Sequence, residues 1–355
     1  MTLLNKFNKV IPSLMSFLIL TPLSFGQSEG LFEDEEILEI ELKGDVKNLL
    51  KNTKGEPEYF DFLIAYSESA DNKKVIPLRL RTRGHFRREM NICEYPPILL
   101  NFAKESTKGT LFSAQDKIKL VMPCRGEKYV IREYYAYRLY NLLTPNSFKV
   151  RLVRLTLVDQ SDFDKSFGPF IGFLIEEEDQ MAKRNLMESL DKDLVQPETV
   201  KEEDFLRMAV FQYLIGNTDW SVQYRQNIKL ISSPNLGKPV AVPYDFDHAG
   251  IVRAPYAMPA PQLKLPSITD RRYRGFCIDD MDRFENTFKE FIGQKDAVYS
   301  LYADSDLLDE KYIKSSFKFL DAFYTTITSP KRAKIDFQYP CLPGGTGNVV
   351  IKGMN

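Results

Sequence analysis

The chain has 355 residues, 43% of them hydrophobic and 27% charged, enough length and apolar content for a large core. Its 48 Lys and Arg nearly cancel its 49 Asp and Glu, so no global field draws it to nucleic acid or an acidic membrane surface. An aromatic content of 12% argues against a disordered chain.

The first residues carry Lys6 and Lys9 and no acid. An apolar run, "IPSLMSFLILTPLSF", follows and ends in small residues at Gly26. That order predicts a cleavable export signal over residues 1–26. The run is too short and too broken by proline for a comfortable span, so we expect no stable membrane span after cleavage. The expected location is the periplasm or the cell surface. Cys93, Cys124, Cys277 and Cys341 are even in number and none has metal spacing. In an oxidising compartment they suit one or two disulfides, with three pairings open.

From Glu36 to about Ile175 the patterns are strand-like. "ILEIELKG" alternates Ile40 and Leu42 with Glu39, Glu41 and Lys43, and "YFDFLIAYSE", "VIPLRLRTRG", "PPILLNF", "DKIKLVMP", "VRLVRLTLVD" and "FIGFLIEEE" follow between turn residues. One long helix interrupts them, "EKYVIREYYAYRLYNLLTP", and stops before Pro145. After Glu178 the character changes. "KEEDFLRMAVFQYLIGN" opens on acids and then turns apolar on every side, which predicts a buried helix. Two short strands come next, "NIKLIS" and "PVAVPYDFD", then a Pro-rich stretch over 252–267 and two further helices. The fold class is therefore α+β in a two-lobe plan. Residues 27–177 form a mainly β N-lobe with one long helix, and 178–355 a mainly helical C-lobe.

Chemistry concentrates where the buried helix gives way to "GNTDWSVQYRQN", and at the strand end "YDFD". A loop Asp can orient an attacking hydroxyl and accept its proton, while Asn and Asp oxygens suit magnesium on phosphate. "YLIGNTDWSVQYRQNIKLI…PVAVPYDFDHAG" resembles the catalytic segment of atypical kinases of the spore-coat CotH and HipA type. "LRLRTRGHFRR" resembles the R-x-RG turn of CotH-like proteins, and the kinase-like motifs cover roughly residues 79 to 250.

The resemblance implies a protein-kinase-like fold with ATP and Mg²⁺ or Mn²⁺ as cofactors. It implies Asp219 as catalytic base and Asn227 and Asp245 as metal ligands, with Asp247 the rival of Asp245. Lys119 would meet the nucleotide phosphates, Glu133 would be its helix partner, Gly84 would sit at the phosphate-covering turn, and "FLIEEE" would lead to the hinge. Two departures stand out. Asp219 and Asn227 are eight apart where these kinases usually have five, which leaves room for a bulge or for Gln226 in the metal role. There is also no GxGxxG turn, and the late "PGGTGN" opens no helix.

The leading expectation is Mg-dependent phosphoryl or nucleotidyl transfer from a nucleotide to an unknown protein or envelope acceptor. A second is a non-catalytic kinase-like binding or assembly module of the envelope. A third is a hydrolase using two of Asp219, Asp245, Asp247 and Glu177. Two basic clusters remain, Arg79 to Arg88 and Arg271 to Arg274, and pairing with surface acids accounts for them slightly better than an anionic ligand does. His248 is expected to be a satisfied turn histidine, and the tyrosines from Tyr134 to Tyr140 to be core packing.

Overall fold

The structure, a computed structural model, describes residues 30–69, 72–84, 86–89, 92–234 and 237–343. The expected export signal and the Gly-rich run beyond Pro343 lie outside the described residues.

Among the described residues ten strands form two sheets. The first seven are β1 (Leu38–Gly44), β2 (Phe60–Ser69), β3 (Asn72–Thr82), β4 (Ile98–Phe102), β5 (Lys117–Val121), β6 (Val150–Asp159) and β7 (Lys165–Ile175), and they close into a barrel in the order β1-β2-β3-β4-β5-β7-β6. Closure comes from β1 lying parallel to β6, Leu38 opposite Val153 through Gly44 opposite Asp159. The alternation read in β1 is its wall: Leu38, Ile40 and Leu42 point inward and Glu39 outward. The barrel interior is an apolar cluster that includes Leu42, Ile64, Leu80, Leu100, Ile118 and Leu155. A smaller antiparallel sheet, in the order β10-β9-β8, joins β8 (Glu188–Ser189), β9 (Ile228–Ser232) and β10 (Val240–Pro243).

Four helices lie among or just after the barrel strands: α1 (Val46–Lys51), α2 (Phe86–Glu89), α3 (Lys104–Thr107) and α4 (Glu127–Asn141). Six follow: α5 (Glu178–Arg184), α6 (Glu202–Ile215), α7 (Glu285–Gly293), α8 (Lys295–Ala303), α9 (Glu310–Ile327) and α10 (Pro330–Phe337). The fold is mixed α+β. Helix α6 starts on Glu202, Glu203 and Asp204, which complement its N-terminal dipole. It ends at Gly216, whose left-handed φ of 66° favours glycine. Between those ends Phe205, Leu206, Met208, Val210, Phe211 and Leu214 are all buried. A second apolar cluster runs from Val121 and α4 through α6 to Phe337, so α4 packs on β7 at one side and on α8 at the other.

Two disulfides, Cys93–Cys124 and Cys277–Cys341, select one of the three pairings and use all four cysteines. They point to an oxidising environment. Among the described residues no helix is long and apolar enough to cross a membrane.

Candidate functional site

The end of α6, the end of β3 and the end of the small sheet where β9 begins and β10 stops meet around one cavity of about 170 Å³. Its lining includes Arg83, Gly84 and Arg87 from one side and Asp219, Gln226, Asn227, Asp245, Asp247 and His248 from the other.

The loop after α6 is held from three directions. The Asp219 N–H donates to Asn217 Oδ1 at 3.0 Å, closing a tight turn. Arg274 donates to the carbonyls of Thr218 and Trp220, and Arg271 donates to the Tyr213 and Leu214 carbonyls in the last turn of α6. The second basic cluster is thus a clamp on the loop's backbone rather than a set of surface pairs. Burial lowers the Arg274 pKa to about 10, against the pull of Asp219.

The long spacing resolves as a local turn. The Ser221 N–H donates to the Gln226 carbonyl at 2.9 Å, so residues 222–225 loop out and the chain returns to where it left. Asn227 then reaches Asp219 with Nδ2, at 2.8 Å from its carbonyl and 2.9 Å from Oδ2. Its Oδ1 takes no part in these bonds. Gln226 lies farther off, with Nε2 at 3.5 Å from Asp219 Oδ1.

At the end of β10 the chain turns through Asp245, whose φ of 61° is left-handed, as is that of Asn227 at 51°. Asn and Asp are among the few non-glycine residues that adopt this region readily. The surroundings fix the turn. The Asp245 N–H donates to Tyr137 Oη at 2.8 Å, and Phe246 is fully buried between Tyr137 and Phe211, at centroid distances of 4.6 and 5.4 Å. With Phe246 anchored, Asp245 and Asp247 flank it and both line the cavity. Tyr137 stands one turn beyond Glu133 on α4, so one helix face serves the site. Tyr137 therefore does more than pack.

Glu133 requires a correction. The expected pair with Lys119 is absent among the described residues, and its partner is Arg87 of α2. The Arg87 guanidinium meets three acids: Asp245 Oδ1 at 2.7 Å from Nη2, Asp247 Oδ2 at 3.3 Å from Nε, and Glu133 Oε2 at 3.5 Å from Nη1. Arg87 is 8% exposed and Glu133 2%. Sequence reading placed Arg87 in a surface cluster, and only its position just after the Arg83–Gly84 turn hinted otherwise.

Electrostatics divide the acids. Burial pushes the Asp245 carboxyl up, Arg87 pulls it back and Asp247 adds to the rise. Asp247 is held below the usual range because Arg87 and His248, with hydrogen bonds from Tyr256 and Asp245, outweigh its burial. Asp219 is raised, by burial first and then by Asp247 and Asp245, against His248.

Lys119 is half-buried on β5, its Nζ 4.6 Å from the Tyr244 ring centroid, and burial with Arg83 and Lys229 nearby lowers its pKa to about 7. Neither Lys119 nor Arg83 forms an ion pair among the described residues. Gly84 has a φ of 82°, and a Cβ there would meet nothing within 4 Å. His248 is 5% exposed and lies between the rings of Phe86 and Tyr256, with Nδ1 unpartnered, so it is not the satisfied turn histidine expected. Glu177 stands at the start of α5 and is not among the cavity's lining.

The donor set suits a hard divalent cation. Asp219, Asn227, Asp245 and Asp247 supply side-chain oxygens from two rigid strand ends, although Asp245 and Asp247 each give an oxygen to Arg87.

No family model matches the chain, and no curated protein does. Among solved structures it is similar to a proinflammatory kinase, CtkA, of Helicobacter pylori. The identity is 12% and the TM-score 0.37, over 67% of this chain and 91% of that one. At that level the likeness carries no functional argument.

Proposed function

We propose that the chain is an exported, kinase-like phosphotransferase that moves a phosphoryl or nucleotidyl group from a nucleotide to a hydroxyl-bearing acceptor. In this reading the barrel with α4 is one lobe, the rest of the chain is the other, and the cavity lies between them. The carrying observation is the convergence of Asp219, Asn227 and Asp245 on one cavity, with the unpaired cation Arg83 at its edge.

Asp219 orients the acceptor hydroxyl and takes its proton. The bonds from Asn227 fix the direction of its carboxylate. Asn227 Oδ1 and Asp245 would hold Mg²⁺ or Mn²⁺, which when bound shields the charge on the phosphate oxygens. Arg83 and Lys119 supply the positive charge for the phosphates of ATP or another nucleotide, and Gly84 leaves the backbone room to approach them.

One observation favours a second reading, a non-catalytic binding module of the envelope. Arg87 already neutralises acids that a metal would need.

Thermal unfolding of the full chain, with and without ATP and Mg²⁺ or Mn²⁺, separates the two. A ligand that binds only the folded state adds about 2.7 kcal/mol at 100 times its Kd. We expect a metal-dependent rise in the midpoint, lost in Asp245→Ala and kept in Asp219→Asn, which binds but does not transfer. No rise with any nucleotide or metal leaves the binding module.

A further inference from the structure

Three carboxylates, those of Glu133, Asp245 and Asp247, face one guanidinium. All three guanidinium nitrogens are engaged, each with a different acid, and the group is 8% exposed. A planar fork with five N–H donors and a permanent charge is suited to holding several carboxylates in fixed directions. Sites that bind two metals about 3.5–4 Å apart need bridging and flanking acids for both ions. Here Asp247 and Glu133 serve Arg87.

One buried group outside this cluster points to a ligand in the cavity. His248, 5% exposed, lines it with Nδ1 unpartnered.

We propose that Arg87 takes the place of one cation in this cluster, so that the site binds a single divalent ion, on the Asp219, Asn227 and Asp245 side. The proposal rests on the phosphotransferase reading and adds its metal stoichiometry. It makes Arg87 a positioning residue: it fixes Asp245 and Asp247 relative to α4 and touches neither phosphate nor acceptor. It also narrows the conflict noted above, because Arg87 holds Asp245 through Oδ1 and leaves Asp245 Oδ2 and Asn227 Oδ1 for one ion.

The test counts Mn²⁺ ions bound per full-length chain by electron paramagnetic resonance, with Mn²⁺ alone and with ADP present. One ion is expected on the wild type, two on Arg87→Gln and one on Arg87→Lys, which keeps the charge. Two ions on the wild type, or on Arg87→Lys, overturn the proposal even if Arg87→Gln does not fold. One ion on both wild type and Arg87→Gln also overturns it and leaves the phosphotransferase reading standing. No ion on any of them, with or without ADP, overturns that reading itself.

Discussion

The barrel interior and the cavity at its mouth share strands, yet they are built by opposite rules. Inside the barrel Leu42, Ile64, Leu80, Ile98, Leu100, Ile118 and Leu155 are fully buried and carry no polar group. Their strands are extended and paired on both sides, with register shifts only at Ser67/Ser69 and Leu155/Leu157 among the described residues. At the cavity, acids crowd one arginine, two non-glycine residues take left-handed backbone, and His248 and Glu133 each hold an unpartnered polar atom. Local propensity, packing and polar satisfaction agree in the first region and conflict in the second. Such conflicts gather where a protein does chemistry and are sustained by stability from elsewhere.

The largest expected effect comes from cutting into the barrel interior. Leu100 stands between Leu80 and Ile118 in adjacent strands, so Leu100→Ala should lower stability by about 2–5 kcal/mol in a denaturant titration. The contrast would break if the loss stayed within the range of a surface change.

The next effect has the opposite sign. Asp245 has a raised pKa in the fold, from burial and then from Asp247, against Arg87. A carboxyl raised above its unfolded value contributes stability that is fully present below the unfolded pKa and lost as pH rises through the folded one. At neutral pH its charge is therefore a cost. Asp245→Asn removes that charge, and asparagine tolerates the left-handed backbone. The variant should be as stable as the wild type, or about 1 kcal/mol more so, while losing the metal-dependent rise in midpoint. A loss of several kcal/mol would show that the bond to Arg87 outweighs that cost, and the cavity would then be a stabilising region like the barrel.

The contrast also explains what sequence reading could reach. Strands β1 to β7 were legible because a half-buried strand alternates, as Ile40 and Leu42 do against Glu39 and Glu41. Helix α6 was legible from its acids, its apolar girth and Gly216. Closure was not, since β1 pairs with β6 over a separation that no local pattern records. The short helices α1, α2 and α3 were missed, as were α5, α8 and α10, the last because its stripe is thin and Ala333 and Phe337 alone are buried. In the cavity Asp219, Asn227, Asp245, Asp247 and Gly84 were named as candidates, and they do share one lining. Arg87 and the hydroxyl of Tyr137 were not, because a buried ion pair and a buried polar tip look in sequence like a surface arginine and a core aromatic. The spacing from Asp219 to Asn227 read as a departure with room for a bulge, and the local Ser221–Gln226 turn is what absorbs it.

The smallest effect concerns Lys119, on the boundary between the two regions. It belongs to a barrel strand, yet its Nζ lies over Tyr244 beside the acids and meets no carboxylate as a pair. Burial, with Arg83 and Lys229, lowers its pKa from 10.5 to about 7. A lysine depressed in this way contributes stability that is present above its unfolded pKa and lost as pH falls through its folded one. Below about pH 7 the fold therefore carries the full cost of a poorly solvated ammonium. Lys119→Met should stabilise the ligand-free protein by on the order of 1 kcal/mol at pH 6, and the gain should fade toward pH 10. The same charge becomes an asset when a phosphate approaches. Pyrophosphate should bind the wild type more tightly as pH falls from 9 to 7, with uptake of a proton seen as a buffer-dependent heat, and Lys119→Met should abolish both trends. A gain in stability that does not vary with pH would place Lys119 with the solvated surface lysines, and the phosphate-binding role would then fall to Arg83 alone.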